Sequence, residues 1–140
     1  MRTLFSAFLL GLALVACSGN SLSGHEPLTD RYWRVLEIDA QPVKVDNQKA
    51  EPHIVLAGDS KTHGSDGCNR FHGGYEDATG LRFSHLASTM MACVPPVMEQ
   101  ARKFMQAIEA TVDYRIQGKT LELLDSGGRV RMRLEATALK

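Results

Sequence analysis

The sequence predicts an α+β fold, an antiparallel sheet with one amphipathic helix over its apolar face or over one mouth of a barrel. Three observations lead there. Short alternating segments, separated by turn signals about every eight to twelve residues, run from Arg31 to Leu86. One stretch after Pro95-Pro96 switches to helical spacing. Alternation then returns and holds from Val112 to Leu134.

Arg31–Ile38 opens the sheet, with Tyr32 and Arg34 opposed to Trp33, Val35 and, loosely, Leu36 and Ile38. Trp33, the only tryptophan, is read as a core anchor. Asp39-Ala40-Gln41-Pro42 reads as a turn and Asp46–Pro52 as a polar loop. His53–Ala57 is a second strand, and Thr62–Ser65 a third, weakened by Gly64. Arg70–Tyr75 and Leu81–Leu86 complete this meander. Val97, Ala101, Phe104, Met105, Ile108 and Val112 then form one helical stripe, and proline suits the first turn, where its missing N–H has no partner to lose. Val112–Ile116, Thr120–Leu124 and Val130–Leu134 are the closing strands, separated by glycine-bearing turns.

Length and composition bound the rest. With 140 residues the chain has room for one domain beyond a targeting segment. Sixteen Lys and Arg balance sixteen Asp and Glu without a basic cluster, so the electrostatic footprint of a nucleic-acid binder is missing.

Arg2 followed by the apolar run Leu4–Val15 reads as a secretory signal, too short for a span of about twenty residues. Leu14-Val15-Ala16-Cys17 resembles the lipobox of bacterial lipoproteins. That resemblance implies a signal peptide over 1–16, a lipidated Cys17 heading a flexible tether over 17–27, and a folded domain over 28–140. It also implies palmitate-type acyl chains, each buried CH₂ worth about 0.8 kcal/mol, as the membrane anchor. By the same resemblance, Ser18 after the cysteine implies sorting to the outer membrane, facing the periplasm.

Two further segments carry a family resemblance. Gly67-Cys68-Asn69-Arg70-Phe71-x-Gly73-x-Tyr75 and Leu86-Ala87-x-Thr89-Met90-Met91-Ala92-Cys93 resemble the paired motifs of META domains, a family that includes the HslJ-like bacterial lipoproteins. The resemblance covers roughly Leu28 to Leu134. It departs at Met90, where the family often has arginine. It implies a barrel-like (cracked-barrel) antiparallel sheet with a helix packed across it, no established catalysis, and an association with heat shock and envelope stress.

The same residues make sense as architecture. Gly64, Gly67, Gly73 and Gly74 allow tight turns or bulges. Asn69 is expected to fold its amide back onto its own loop, and Phe71 and Tyr75 to share a face. Cys68 and Cys93 remain once Cys17 is lipidated, and in an oxidising periplasm they are expected to pair, two free buried thiols being the alternative. Packing leaves Arg70 without a role, so Asn69, Arg70 and Thr89 are the candidate interaction residues.

Chemistry beyond this is weakly supported. Met90, Met91, Cys93 and Met98 are soft donors, with His63 and His72 at the ends of the glycine motif, but Met91 and Met98 are expected to be core filler. No metal or cofactor is expected. His63, Ser65 and Asp66 have the residue types of a nucleophilic site, yet adjacent strand residues face opposite ways. The sequence thus implies a non-enzymatic envelope lipoprotein acting as a protein-interaction module. The alternative is a carrier of lipid or a small apolar ligand in the barrel interior.

Overall fold

The computed structural model describes residues 24–45 and 51–138. The signal segment, Cys17 and positions 46–50 of the polar loop lie outside them. The elements are β1 (Tyr32–Ile38), β2 (Gln41–Pro42), β3 (His53–Leu56), β4 (Lys61–Ser65), β5 (Arg70–Glu76), β6 (Arg82–Ser88), α1 (Pro95–Glu109), β7 (Asp113–Gln117), β8 (Thr120–Leu124) and β9 (Val130–Thr137).

One antiparallel sheet runs in the order β6-β5-β4-β3-β1-β9-β8-β7, with β2 paired to β1. It curls strongly into a half-barrel. The chain leaves one edge at β6, crosses the concave face as α1, and re-enters at the opposite edge as β7. The two edges meet at one end, where the Leu81 N–H donates to the Val112 carbonyl at 3.2 Å. Elsewhere the barrel stays open between them.

The helix forms along the 3.6-residue stripe with proline in its first turn, but it ends at Glu109, so Val112, counted in the stripe, lies beyond it and bonds to Leu124 instead. Ala101, Phe104, Ala107 and Ile108 are its buried residues. Phe104, Ala107 and Ile108 join Trp33, Leu56, Leu123, Met132 and Leu134 of the sheet in one buried cluster. Burying Phe104 and Ile108 stabilises the helix by about 1.5–3 kcal/mol each, more than the isolated turns could supply. Trp33 is the expected core anchor, fully buried, with its indole N–H satisfied by the Leu28 carbonyl at 2.8 Å. Phe71 and Tyr75 do share the inner face, and Phe71 meets the Phe104 ring at 5.5 Å between centroids.

Further expectations need correction. Leu36 does not join the core: the β1–β9 register shifts between Val35 and Glu37, leaving Leu36 as the extra residue of a bulge and bringing Ile38 inward. Gln41-Pro42 is a short strand rather than part of the turn, because Asp39 (φ +48°) and Ala40 (φ +61°) make a two-residue hairpin by themselves. β9 runs on to Thr137, its last residues pairing with Tyr32–Arg34. Met91 and Met98 are not core filler, being 60% and 48% exposed.

Candidate functional site

The motif loop between β4 and β5 is built by a side chain that the sequence reading set aside. Asp66 is 2% exposed, and its Oδ1 accepts the N–H groups of Cys68 (2.8 Å) and Asn69 (2.6 Å). Its own N–H donates to the Asn69 carbonyl at 3.0 Å. Gly67 supplies the left-handed turn with φ +97°. The signal was present as an Asp two and three residues ahead of the amides it caps, an Asx-turn pattern.

Relieved of that task, Asn69 reaches outward. Its Oδ1 accepts the Thr89 hydroxyl at 3.1 Å and the Met91 N–H at 2.6 Å. This corrects the expectation that the amide folds onto its own loop. The Thr89 hydroxyl in turn accepts the Arg70 N–H at 3.2 Å, and the Thr89 N–H donates to the Arg70 carbonyl at 3.0 Å. Cys68 and Cys93 form a disulfide across 6.0 Å between their Cα atoms. The structure therefore brings Asn69, Arg70, Thr89 and both cysteines together. The backbone of Arg70 is used, while its exposed guanidinium has no ion pair or hydrogen bond among the described residues.

Between this motif and α1 lies an open groove of about 430 Å³. Asp66, Asn69, Thr89, Met90 and Met91 line one wall, and Met98, Ala101, Arg102 and Met105 the other. Met90 is 98% exposed, and Val94, also exposed, follows Cys93 at the head of the helix. Arg102 is engaged by Glu99, whose Oε1 lies 2.6 Å from Nη2. The hydrogen bond from that guanidinium holds the Glu99 carboxyl below the usual carboxylate range.

On the outer face, His53 stacks on Tyr32 with ring centroids 4.4 Å apart. Its Nδ1 lies 2.9 Å from the Glu51 carbonyl, which can only accept, so Nδ1 carries the proton. Burial pushes the His53 imidazole below its ordinary value. His63 and His72 stand opposite each other on β4 and β5. Among the described residues no three His, Cys, Asp or Glu side chains form a metal-ligand group. Nor do His63, Ser65 and Asp66 assemble a nucleophilic site. The Ser65 hydroxyl accepts the Gly67 N–H at 3.1 Å, and Asp66 is committed to backbone amides.

Comparison with known proteins agrees with this architecture. The META domain family model matches residues 26–138. The NMR structure of a protein from Burkholderia xenovorans is similar, with a TM-score of 0.63 and 22% identity over 80% of this chain and 85% of that one. A second NMR structure is similar with a TM-score of 0.60 and 21% identity, over 79% of this chain and 90% of that one. At that identity the likeness concerns the fold. No curated protein matches the chain.

Proposed function

The chain belongs to the META domain family, and on that footing we propose that it is a non-enzymatic envelope lipoprotein whose domain docks on an envelope protein through the groove beside α1. The lipobox-like Leu14–Cys17 supports an anchor on Cys17 and placement at the outer membrane, facing the periplasm. The family resemblance supports a part in heat-shock or envelope stress.

One observation carries the docking reading: the interior is filled while the surface beside the motif is apolar. A lipid carrier needs a continuous cavity under the helix, but Trp33, Phe104, Ile108, Leu123, Met132 and Leu134 occupy that space, each fully buried or nearly so. By contrast Met90, Met91, Val94 and Met98 make up most of the exposed large apolar side chains among the described residues, clustered within nine positions. Met90, Met91 and Met98 line the groove together, and exposed apolar side chains gathered in this way on a small domain mark an interaction surface. Methionine suits such a surface because its unbranched thioether adapts to different partners. Arg70, whose guanidinium is unengaged among the described residues, adds a cation within the same motif.

The test is crosslinking in cells from a photoreactive residue placed at Met91, with Arg115 on the outer face as the control position. Purification from membranes follows, with mass spectrometry of bound proteins and bound lipids. A discrete protein adduct from position 91, absent from position 115 and weakened by Arg70→Ala, is expected. Stoichiometric co-purifying lipid without a protein adduct would favour the carrier instead.

A further inference from the structure

We propose that the same groove is a binding site for a soft monovalent cation, Cu(I) by its chemistry, held by methionine thioethers. The inference does not rest on the docking role. It begins with which apolar side chains the groove presents. Four of the six methionines of the chain, Met90, Met91, Met98 and Met105, line it. No Leu, Ile, Val or Phe does. The core leans the other way: its buried cluster is built from Leu, Ile, Val, Ala and aromatic residues with Met132 as its one methionine, and Met105 packs against it from the groove side. Methionine is therefore not this domain's general filler. An apolar contact alone would be served as well by leucine, whereas the feature the four lining side chains share is sulfur.

The walls that carry the sulfurs are fixed. Met91 is pinned through its N–H to Asn69 Oδ1 at 2.6 Å, and the Cys68–Cys93 disulfide anchors the segment two residues on. Met98 and Met105 stand on one face of α1 but two turns apart, about 10.5 Å along the axis, so a single ion takes Met98 together with Met91 across the groove rather than both helix methionines. Asp66 and Glu109 place carboxylates in the lining, and its one cation, Arg102, is already engaged by Glu99. Thioethers are soft donors that select Cu(I) over zinc, magnesium or calcium. Because both nearby cysteines are joined in the disulfide, the donors are thioethers alone. These release no proton on binding, unlike cysteine or histidine ligands.

Ag(I) is the probe, a soft cation that needs no reductant and leaves the disulfide intact. The full chain is kept in detergent, labelled on its methionine methyl groups, and titrated in chloride-free buffer while the methyl resonances are followed. One equivalent should move Met91 and Met98 together and leave Met132 in place as the internal control. Cu(I) held in ascorbate should compete for the same site, and Zn(II) should not. Affinity should be flat between about pH 5.5 and 7.5, where a histidine site would weaken on acidification. Replacing Met91, Met98 and Met105 together by leucine keeps the apolar volume, so Ag(I) affinity should fall at least tenfold, while a protein crosslink from a photoreactive residue placed at Met90 instead of position 91 should form with and without the three leucines. The single variants Met91→Leu and Met98→Leu, each folded by Trp33 fluorescence, should each weaken binding. Shifts that need many equivalents, that include Met132 equally, or that survive in the leucine variants would overturn the proposal. Loss of the crosslink with Ag(I) binding intact would count against docking alone.

Discussion

Asn69 and Cys68 perform the same task by different means, because both fasten the β4–β5 loop to the segment that leads into α1. The disulfide closes a loop with a sequence separation of 25, worth about 3.5 kcal/mol in the chain-entropy model. The Asn69 amide oxygen accepts two hydrogen bonds, worth about 1 kcal/mol each in net terms. The covalent tie should dominate. Cys68→Ser is thus expected to lower the unfolding free energy of the oxidised protein by about 3 kcal/mol, and to have little effect once the wild type is reduced. Asn69→Ala should cost about 1–2 kcal/mol in either redox state, since it leaves the Met91 N–H without its partner. Urea unfolding with and without reductant separates the two. Equal stabilities of wild type and Cys68→Ser under oxidising conditions would show that the bridge constrains nothing.

At the level of elements, how legible each strand was depended on whether its alternation was interrupted. Thr120–Leu123 keeps a period of two in sequence, and β8 has the expected bounds. β1 carries its extra residue at Leu36, and β6 carries one between Ser84 and Ala87, where His85 takes φ +51°. A bulge is invisible to a periodicity argument, because it depends on the partner strand's register. The same holds for Asp66, whose capping role depends on the direction of a loop. The helix was legible because its stripe and its prolines agree. Met105 was legible only as a helix position, since its place in the groove depends on where the 86–93 segment crosses α1. Gly64 shows the converse. In sequence it weakens β4, but in the fold it is required: a Cβ there would lie 2.1 Å from the His53 carbonyl oxygen and 2.8 Å from the Phe71 ring. Gly64→Ala should therefore destabilise the domain by at least about 1–3 kcal/mol by overpacking, despite alanine's smaller backbone entropy cost. Thermal unfolding measures it, and an unchanged or raised melting temperature would mean that β3 and Phe71 can move apart freely.

Over the whole molecule, the convex face is tied together by charge as the concave face is by apolar packing. Glu37, Arg133, Glu122 and Arg115 are successive cross-strand partners on β1, β9, β8 and β7. Arg133 reaches Glu37 at 2.8 Å and Glu122 at 3.1 Å, and Arg115 Nε donates to Glu122 at 2.8 Å. Burial works to raise the Glu122 carboxyl, but hydrogen bonds from the two arginines outweigh it and hold it below the ordinary carboxylate range. Asp125 is held low as well, first by the Arg129 N–H. A depressed carboxyl contributes stability above its unfolded value and loses that contribution as pH falls through its folded value. His53 behaves differently, because burial disfavours its charged form, with His63 and Arg70 adding repulsion and Glu51 opposing. Below its ordinary value of about 6.5 the unfolded chain takes up a proton that the folded one resists, so stability falls there first. The melting temperature should accordingly decline in two stages, a shallow one beginning near pH 6.5 and a steeper one below about pH 4.5. His53→Gln should remove the first stage. Glu122→Gln should lower the melting temperature at neutral pH, because two arginines lose their shared carboxylate, and should flatten the second stage. If Glu122→Gln keeps the full acid slope, the charged row does not stabilise the half-barrel, and the curl rests on the core beneath it alone.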